Sequence, residues 1–242
     1  MNVLIFGASG MLGHGVLREC LLADDVALVQ VIGRSELDTS RLGVDAMHLR
    51  KLQQVVQPDL FDYRQIENRL KNFDACFFCL GVSSGGMREA DYRLLTYDLT
   101  LAAAQVLARL NPQMTFTYVS GASTDSSEQG KSMWARVKGR TENALLRLPF
   151  KAAYMFRPGV IQALHGARSR TPLYRIFYVF AAPLMPLARR LMPDQVLTTE
   201  VIGRAMLNVA RHGADRRLLE SPDINRLGSE HPDAPASHAR TA

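Results

Sequence analysis

Three cysteines in 242 residues are too few for a disulfide framework. Cys20, Cys76 and Cys79 leave one thiol over in any pairing, and a reducing cytoplasm is the default setting for such a chain. The spacing C-x-x-C occurs in "CFFC", but inside "ACFFCLG", an apolar run that reads as a buried strand. Residues three apart on a strand point to opposite faces, so these are two inert core cysteines and not a redox pair. No His/Cys cluster has zinc-like spacing, and G-x-S-x-G is absent. The opening "MNVLIFGASG" has no basic n-region and no cleavage pattern, which argues against a secretory signal. Asp and Glu are missing altogether from Asn143 to Pro193, a window that holds Arg147, Lys151, Arg157, Arg168, Arg170, Arg175, Arg189 and Arg190. This basic field suits an anionic ligand, an anionic membrane surface or a solvated face. Nucleic acid is disfavoured because no nucleic-acid module accompanies the charge. A membrane span needs about 20 apolar residues. The run from Ile176 to Ala188 offers 13, interrupted by Pro183 and Pro186.

What is present is a large apolar fraction, 47%, with a net charge of +6. That composition supports a full-sized core and excludes global disorder. Short apolar runs alternate with helical periodicity along most of the chain. "NVLIFG", "VALVQVIGR", "LQQVVQPD", "DACFFCLG", "MTFTYVSG" and "KAAYMFRPG" read as strands. "MLGHGVLRECLLA", "YRQIENRLKNF", "EADYRLLTYDLTLAAAQVLARL" and "MWARVKGRTENALLRL" read as the helices between them. Such alternation predicts an α/β fold, a Rossmann-type doubly wound parallel sheet with a small C-terminal substrate or lid region. Ligands then bind at the C-terminal ends of the strands. One domain over residues 1–221 is expected. Within it, residues 160–192 read as an irregular lid or substrate segment. "TTEVIGRAMLNVARHG" reads as a closing helix with Thr198 or Thr199 as N-cap, and "RRLLE" as a last strand. Residues 222–242 have the composition of a disordered tail.

"GASGMLG" places Gly7, Gly10 and Gly13 directly after the first strand and at the start of a helix. Gly7 permits a tight turn, Gly10 lets the backbone approach a pyrophosphate, and Gly13 allows close helix–strand packing. Ser9 and the backbone amides of Met11 and Leu12 are the expected phosphate donors, while His14 reads as packing. The second strand ends in Gly33, Arg34 and Ser35, without the acid that grips an NAD ribose. A guanidinium matches a 2′-phosphate bidentately, so NADP is expected ahead of NAD.

The glycine turn, "CLG" at Cys79 to Gly81, "WARVKG" at Trp134 to Gly139 and "FRPG" at Phe156 to Gly159 together resemble the atypical short-chain dehydrogenase/reductases. The likeness is to their NAD-dependent epimerase-like and Tat-interacting-protein-like branch, and it runs from residue 1 to about residue 212. The resemblance implies roles. Asp59 and Leu60 would meet the adenine, and Leu80 and Gly81 would lie beside the ribose. Ser120 or Ser123 would polarise a substrate carbonyl, Lys138 would hold the nicotinamide ribose, and Pro158 and Gly159 would pass under the nicotinamide.

The family's catalytic tyrosine is replaced by Trp134. Residues 134 and 138 share a helix face, as the family's Tyr and Lys do. An indole N–H does not titrate, so Trp134 shapes the pocket without acting as acid or base. Three readings follow. The chain is an oxidoreductase or epimerase for a small, anionic carbonyl or alcohol compound, with the proton supplied by Tyr92, Tyr97, His165, Tyr174 or Tyr178. Alternatively it is a non-catalytic NADP(H)-binding redox sensor or interaction module, with a homodimer mate or another protein as partner. In the third, residues 173–192 dock on a membrane surface and the nucleotide is structural.

Overall fold

The computed structural model describes residues 1–167 and 195–229. Its centre is β1 (Asn2–Phe6), in which Val3 through Phe6 are fully buried. A strand covered on both faces reads as an unbroken apolar run, and β4 (Ala75–Phe78) obeys the same rule. On one side β1 pairs with β2 (Leu28–Gly33), which pairs with β3 (Leu52–Val56). On the other side come β4, β5 (Thr115–Val119), β6 (Ala152–Arg157) and, far along the chain, β9 (Leu218–Glu220). The order β3-β2-β1-β4-β5-β6-β9 is parallel throughout, so the doubly wound α/β expectation holds. The chain reverses direction between β1 and β4, and in open parallel sheets a crevice forms at that switch point.

The two sheet faces have separate cores. Val3, Ile5 and Phe77 pack beneath α1 (Met11–Leu22), α6 (Thr199–His212) and α7 (Ser221–Ser229). Leu4, Phe6 and Phe78 pack beneath α4 (Leu99–Leu110) and α5 (Met133–Leu146). Cys76 belongs to the second core and Cys79 packs against the first, as the strand alternation requires. The short α2 (Ala46–Leu49) is capped by Asp45, whose carboxylate accepts from the His48 amide at 3.0 Å. Thr198 caps α6 by accepting from the Val201 amide at 3.1 Å, and Gly213 ends that helix at φ +78°.

Four expectations need correction. The segment Arg64–Leu70 is a 3₁₀ helix; only Leu70 in it is buried, so little packing selects the wider α form. The long helix is interrupted, running as α3 (Glu89–Arg93), a π-helical turn over Leu94–Asp98, and then α4. The extra residue turns Leu94 and Leu95 outward, to 50% and 38% exposure. Residues 222–229 are not tail, because α7 begins at Ser221. Pro222 sits in its first turn, Ile224 and Leu227 share a buried face, and Asn208 Nδ2 donates to the Leu227 carbonyl at 2.8 Å. Polar composition hid an i, i+3 apolar pair. The span 160–192 opens with a strand, β7 (Val160–Gln162), parallel to β8 (Val196–Thr198). The remainder of the expected lid, with Tyr174 and Tyr178, and the tail from residue 230 lie outside the described residues.

Candidate functional site

The turn after β1 is held by close backbone contact. Gly7 has φ +82°, and a Cβ there would fall 2.7 Å from the Cys79 carbonyl carbon and from the Leu80 nitrogen. A Cβ on Gly13 would lie 2.2 Å from the Gly7 carbonyl oxygen. These two glycines therefore clamp the turn between α1 and the end of β4. Gly10 donates its amide to the Gly7 carbonyl at 2.9 Å and serves as the N-cap of α1. It supplies no side-chain cap, and no acid occupies the first turn. The first-turn N–H groups, those of Met11 and Leu12 included, are thus left for an incoming anion. Ser9 is exposed on the same turn.

Gly7, Ser9, Gly10, Arg34, Asp59, Leu60, Leu80 and Gly81 border one cavity of about 440 Å³ behind β1, β2, β3 and β4. Eight of the eleven residues expected at the adenosine and phosphate end are thereby brought together; Met11, Leu12 and Gly13 do not border the cavity. Arg34 is exposed and has no ion-pair partner among the described residues. A smaller hollow of about 100 Å³ extends beside it, with Ser35, Leu37 and Gln54 in its wall. The outer wall of the large cavity is apolar: Phe61, Val82, Leu95 and Leu99. None of the last four was read from the sequence. Leu95 faces the cavity because of the π turn, and a π turn leaves no mark in apolar periodicity.

The second set of residues clusters at the ends of β5 and β6, and none of it borders that cavity. Ser120 is buried, and its hydroxyl donates to the Phe156 carbonyl at 3.2 Å. That bond ties the Ser120 hydroxyl to the neighbouring strand. Ser123 is exposed and held at φ +66° in a loop whose Ala122 amide donates to Pro158. A non-glycine residue in that region carries backbone strain, which collects at working sites. Pro158 is buried, and the Gly159 amide donates to Ser221 Oγ at 2.8 Å. The helix α7 therefore anchors the loop after β6.

Trp134 and Lys138 are half-buried, one turn apart on α5. Lys138 Nζ donates to the Ser120 carbonyl oxygen. Burial pushes its pKa down to about 8, while the negative charge of Glu142 pulls the other way. Glu142, four residues further on, is fully buried and committed elsewhere: Arg157 Nε donates to its Oε1 at 3.0 Å and Nη2 to its Oε2. Arg157 also reaches Ser126 Oγ at 2.6 Å and Glu220 at 3.2 Å. Sequence reading counted Arg157 as part of a free basic field. It is instead the counter-ion of a buried carboxylate, and the 134, 138, 142 spacing was the available clue.

The other proposed proton donors are placed less favourably. Tyr92 is 1% exposed. Tyr97 lies under the Arg93 guanidinium, 5.8 Å from ring centre to cation. His165 faces Glu200 at 3.2 Å. His14 is buried, as a packing residue should be, and burial lowers its pKa.

No protein-family model matches the chain. It is 28% identical over 237 residues to Protein HTATIP2 of Rattus norvegicus, covering 95% of this chain and 90% of that protein. It is 25% identical over 211 residues to the mitochondrial protein fmp52 of Emericella nidulans, covering 86% of each. In fold it matches a short-chain dehydrogenase/reductase from Saccharomyces cerevisiae with a TM-score of 0.63 at 15% identity, over 93% of this chain and 98% of that one. It matches the Bordetella bronchiseptica enzyme WbmH, in complex with NAD+, with a TM-score of 0.60 at 14% identity, over 90% of this chain and 74% of that one. Among the described residues no helix is long and apolar enough to cross a membrane.

Proposed function

We propose that this chain, which is similar to the atypical short-chain dehydrogenase/reductases in fold and motif set, binds NADP(H) and moves a hydride between the nicotinamide and a small carbonyl or alcohol compound. The observation that carries this reading is the single cavity that unites the glycine turn, Arg34 and the ends of β3 and β4. Its parts fit a dinucleotide. The uncapped first turn of α1 and Ser9 hold the pyrophosphate. Arg34, with no carboxylate partner among the described residues, takes the 2′-phosphate that distinguishes NADP. Asp59 and Leu60 face the adenine, Leu80 and Gly81 the ribose. Lys138 grips the nicotinamide ribose, with Pro158 and Gly159 passing beneath the ring.

The bound dinucleotide supplies or accepts the hydride. The chain's own residues orient and exclude. Ser123 is the exposed hydroxyl left to hold a substrate oxygen, since Ser120 is spent on Phe156. Trp134 walls the site and donates at most one hydrogen bond. An epimerase would use the same parts and return the hydride to the other face. Of the basic window, Arg157 no longer supports the anionic substrate, because it is internally paired. Three unpaired cysteines suit a reducing compartment such as the cytoplasm.

One observation favours a second reading, a redox sensor that binds without turnover: the non-titrating Trp134 together with a buried Ser120. The two are separated by titrating the protein with NADPH and NADH, then following nicotinamide absorbance across a panel of aldehydes, ketones and keto acids. Turnover of any of them supports the enzyme. Tight NADPH binding with no oxidation across the panel gives the sensor. Absence of binding to either dinucleotide sinks both.

A further inference from the structure

A carbonyl that gains a hydride at carbon needs one proton at oxygen. Trp134 has none to give. The described titratable groups near the ends of β5 and β6 can be sorted by where they sit. Tyr118 and Tyr92 are each 1% exposed, sealed in the core. Both oxygens of Glu142 are occupied by Arg157, and Glu220 also pairs with Arg157. Lys138 differs from all of these. It is half-buried on the same face of α5 as Trp134, and its hydrogen-bond acceptor is a neutral carbonyl, that of Ser120. The carboxylate one turn away, Glu142, is held by Arg157 and offsets the burial of the ammonium only in part. An ammonium in that position is poorly solvated and poorly paired, which favours release of its proton.

We propose that Lys138 is the general acid and base of this protein, donating a proton to the substrate oxygen in the place vacated by the family's tyrosine. This deepens the NADP(H)-dependent reading and rests on it. In the reductive direction the carbonyl carbon gains the hydride from NADPH, which becomes NADP+. The C=O π pair moves onto oxygen, and oxygen takes a proton from the Lys138 ammonium. The C–H and O–H bonds form, one N–H bond breaks, and the amine is reprotonated from solvent. In the oxidative direction the amine accepts the hydroxyl proton as the hydride leaves carbon. Burial holds Lys138 near 8, where both its forms are populated close to neutral pH, as an acid–base group requires.

The test has a readout that needs no turnover. Protein labelled with 13C/15N lysine is titrated between about pH 6 and 11, with Lys138→Arg assigning the resonance. A Lys138 midpoint near 8, with or without NADP+, is expected. A midpoint at the ordinary lysine value overturns the proposal. The second arm compares wild type with Lys138→Arg, which keeps a cation for the ribose. NADPH affinity should stay close to wild type while carbonyl reduction falls roughly a hundredfold or more. Reduction by Lys138→Arg within tenfold of wild type removes Lys138 as the acid and leaves the enzyme reading intact. Wild-type protein that binds NADPH yet reduces nothing overturns both, through the enzyme reading.

Discussion

At the ends of β1 to β4 the cleft is shaped by backbone, and at the ends of β5 and β6 by buried charge. In the first region two glycines set the walls, and a Cβ on either meets main-chain atoms at 2.7 Å or less. In the second, Arg157 ties Glu142, Glu220 and Ser126 into one buried network, and Lys138 lies one turn from Glu142 with its ammonium on the Ser120 carbonyl. A backbone wall is specified by a short local spacing. A charged wall is specified by residues far apart in sequence, and its chemistry depends on which charge is left unpaired. The difference teaches why the first region is legible as a motif in the sequence while the second is not.

The largest expected effect breaks the charged wall. Arg157→Met leaves Glu142, fully buried, without its counter-ion. Removing one partner of such a pair costs about 3–5 kcal/mol. Urea denaturation of the variant should show a loss of that size. An effect below about 1 kcal/mol, as expected for the exposed Arg88–Asp91 pair, would mean that the network is not structural.

Next in size is a gain. Lys138 has a folded pKa of about 8 against 10.5 for a free lysine. Below pH 8 it is charged in both folded and unfolded chains, and the folded protein carries the whole cost of burying that charge. Between about 8 and 10.5 the folded chain gives up the proton first, so wild-type stability climbs with pH across this window. Lys138→Met should therefore be more stable than wild type at pH 7, by as much as roughly 3 kcal/mol. The advantage should shrink as the pH rises toward 10. Thermal unfolding at pH 7 and pH 10 checks both size and sign. A variant less stable than wild type at pH 7 would show that the bond to Ser120 outweighs the desolvation.

The contrast between the two regions also explains what could be read from sequence. The parallel sheet follows from apolar runs such as "VLIF" and "ACFF", whose burial needs no long-range information. The glycine turn follows from spacing. Arg34 follows from where the second strand ends, the residues at 59–60 and 80–81 follow from the family resemblance, and one cavity unites them. Sequence left Ser120 and Ser123 equivalent, because burial and the bond of Ser120 to Phe156 depend on a strand 36 residues away. Arg157 misled because composition counts charge without pairing it. The π turn and α7 were missed for opposite reasons. A π turn inserts one residue without changing composition, whereas α7 hides two buried apolar side chains in a polar stretch.

A moderate effect is expected in the backbone wall. Gly13→Ala places a methyl 2.2 Å from the Gly7 carbonyl, with only main chain to move. Overpacking of this kind costs about 1–3 kcal/mol. Because the displaced carbonyl belongs to the phosphate turn, dinucleotide affinity should fall together with stability. Retained affinity in a folded Gly13→Ala protein would separate the turn from the cofactor.

The smallest effect is the most selective. Arg34 is exposed, lines the cavity and lacks a carboxylate partner among the described residues, so nothing in the fold depends on it. Arg34→Ala should leave the melting temperature unchanged. Its guanidinium distinguishes the two dinucleotides at one group only, the 2′-phosphate. NADPH affinity should fall about tenfold, equivalent to roughly 1.4 kcal/mol, with NADH affinity nearly constant. Fluorescence titration with both dinucleotides reads this directly. Equal losses for both would show that Arg34 meets the adenine and not the phosphate. Wild-type protein that binds NADH as tightly as NADPH would remove the NADP preference while leaving the glycine turn and its cavity as the dinucleotide site.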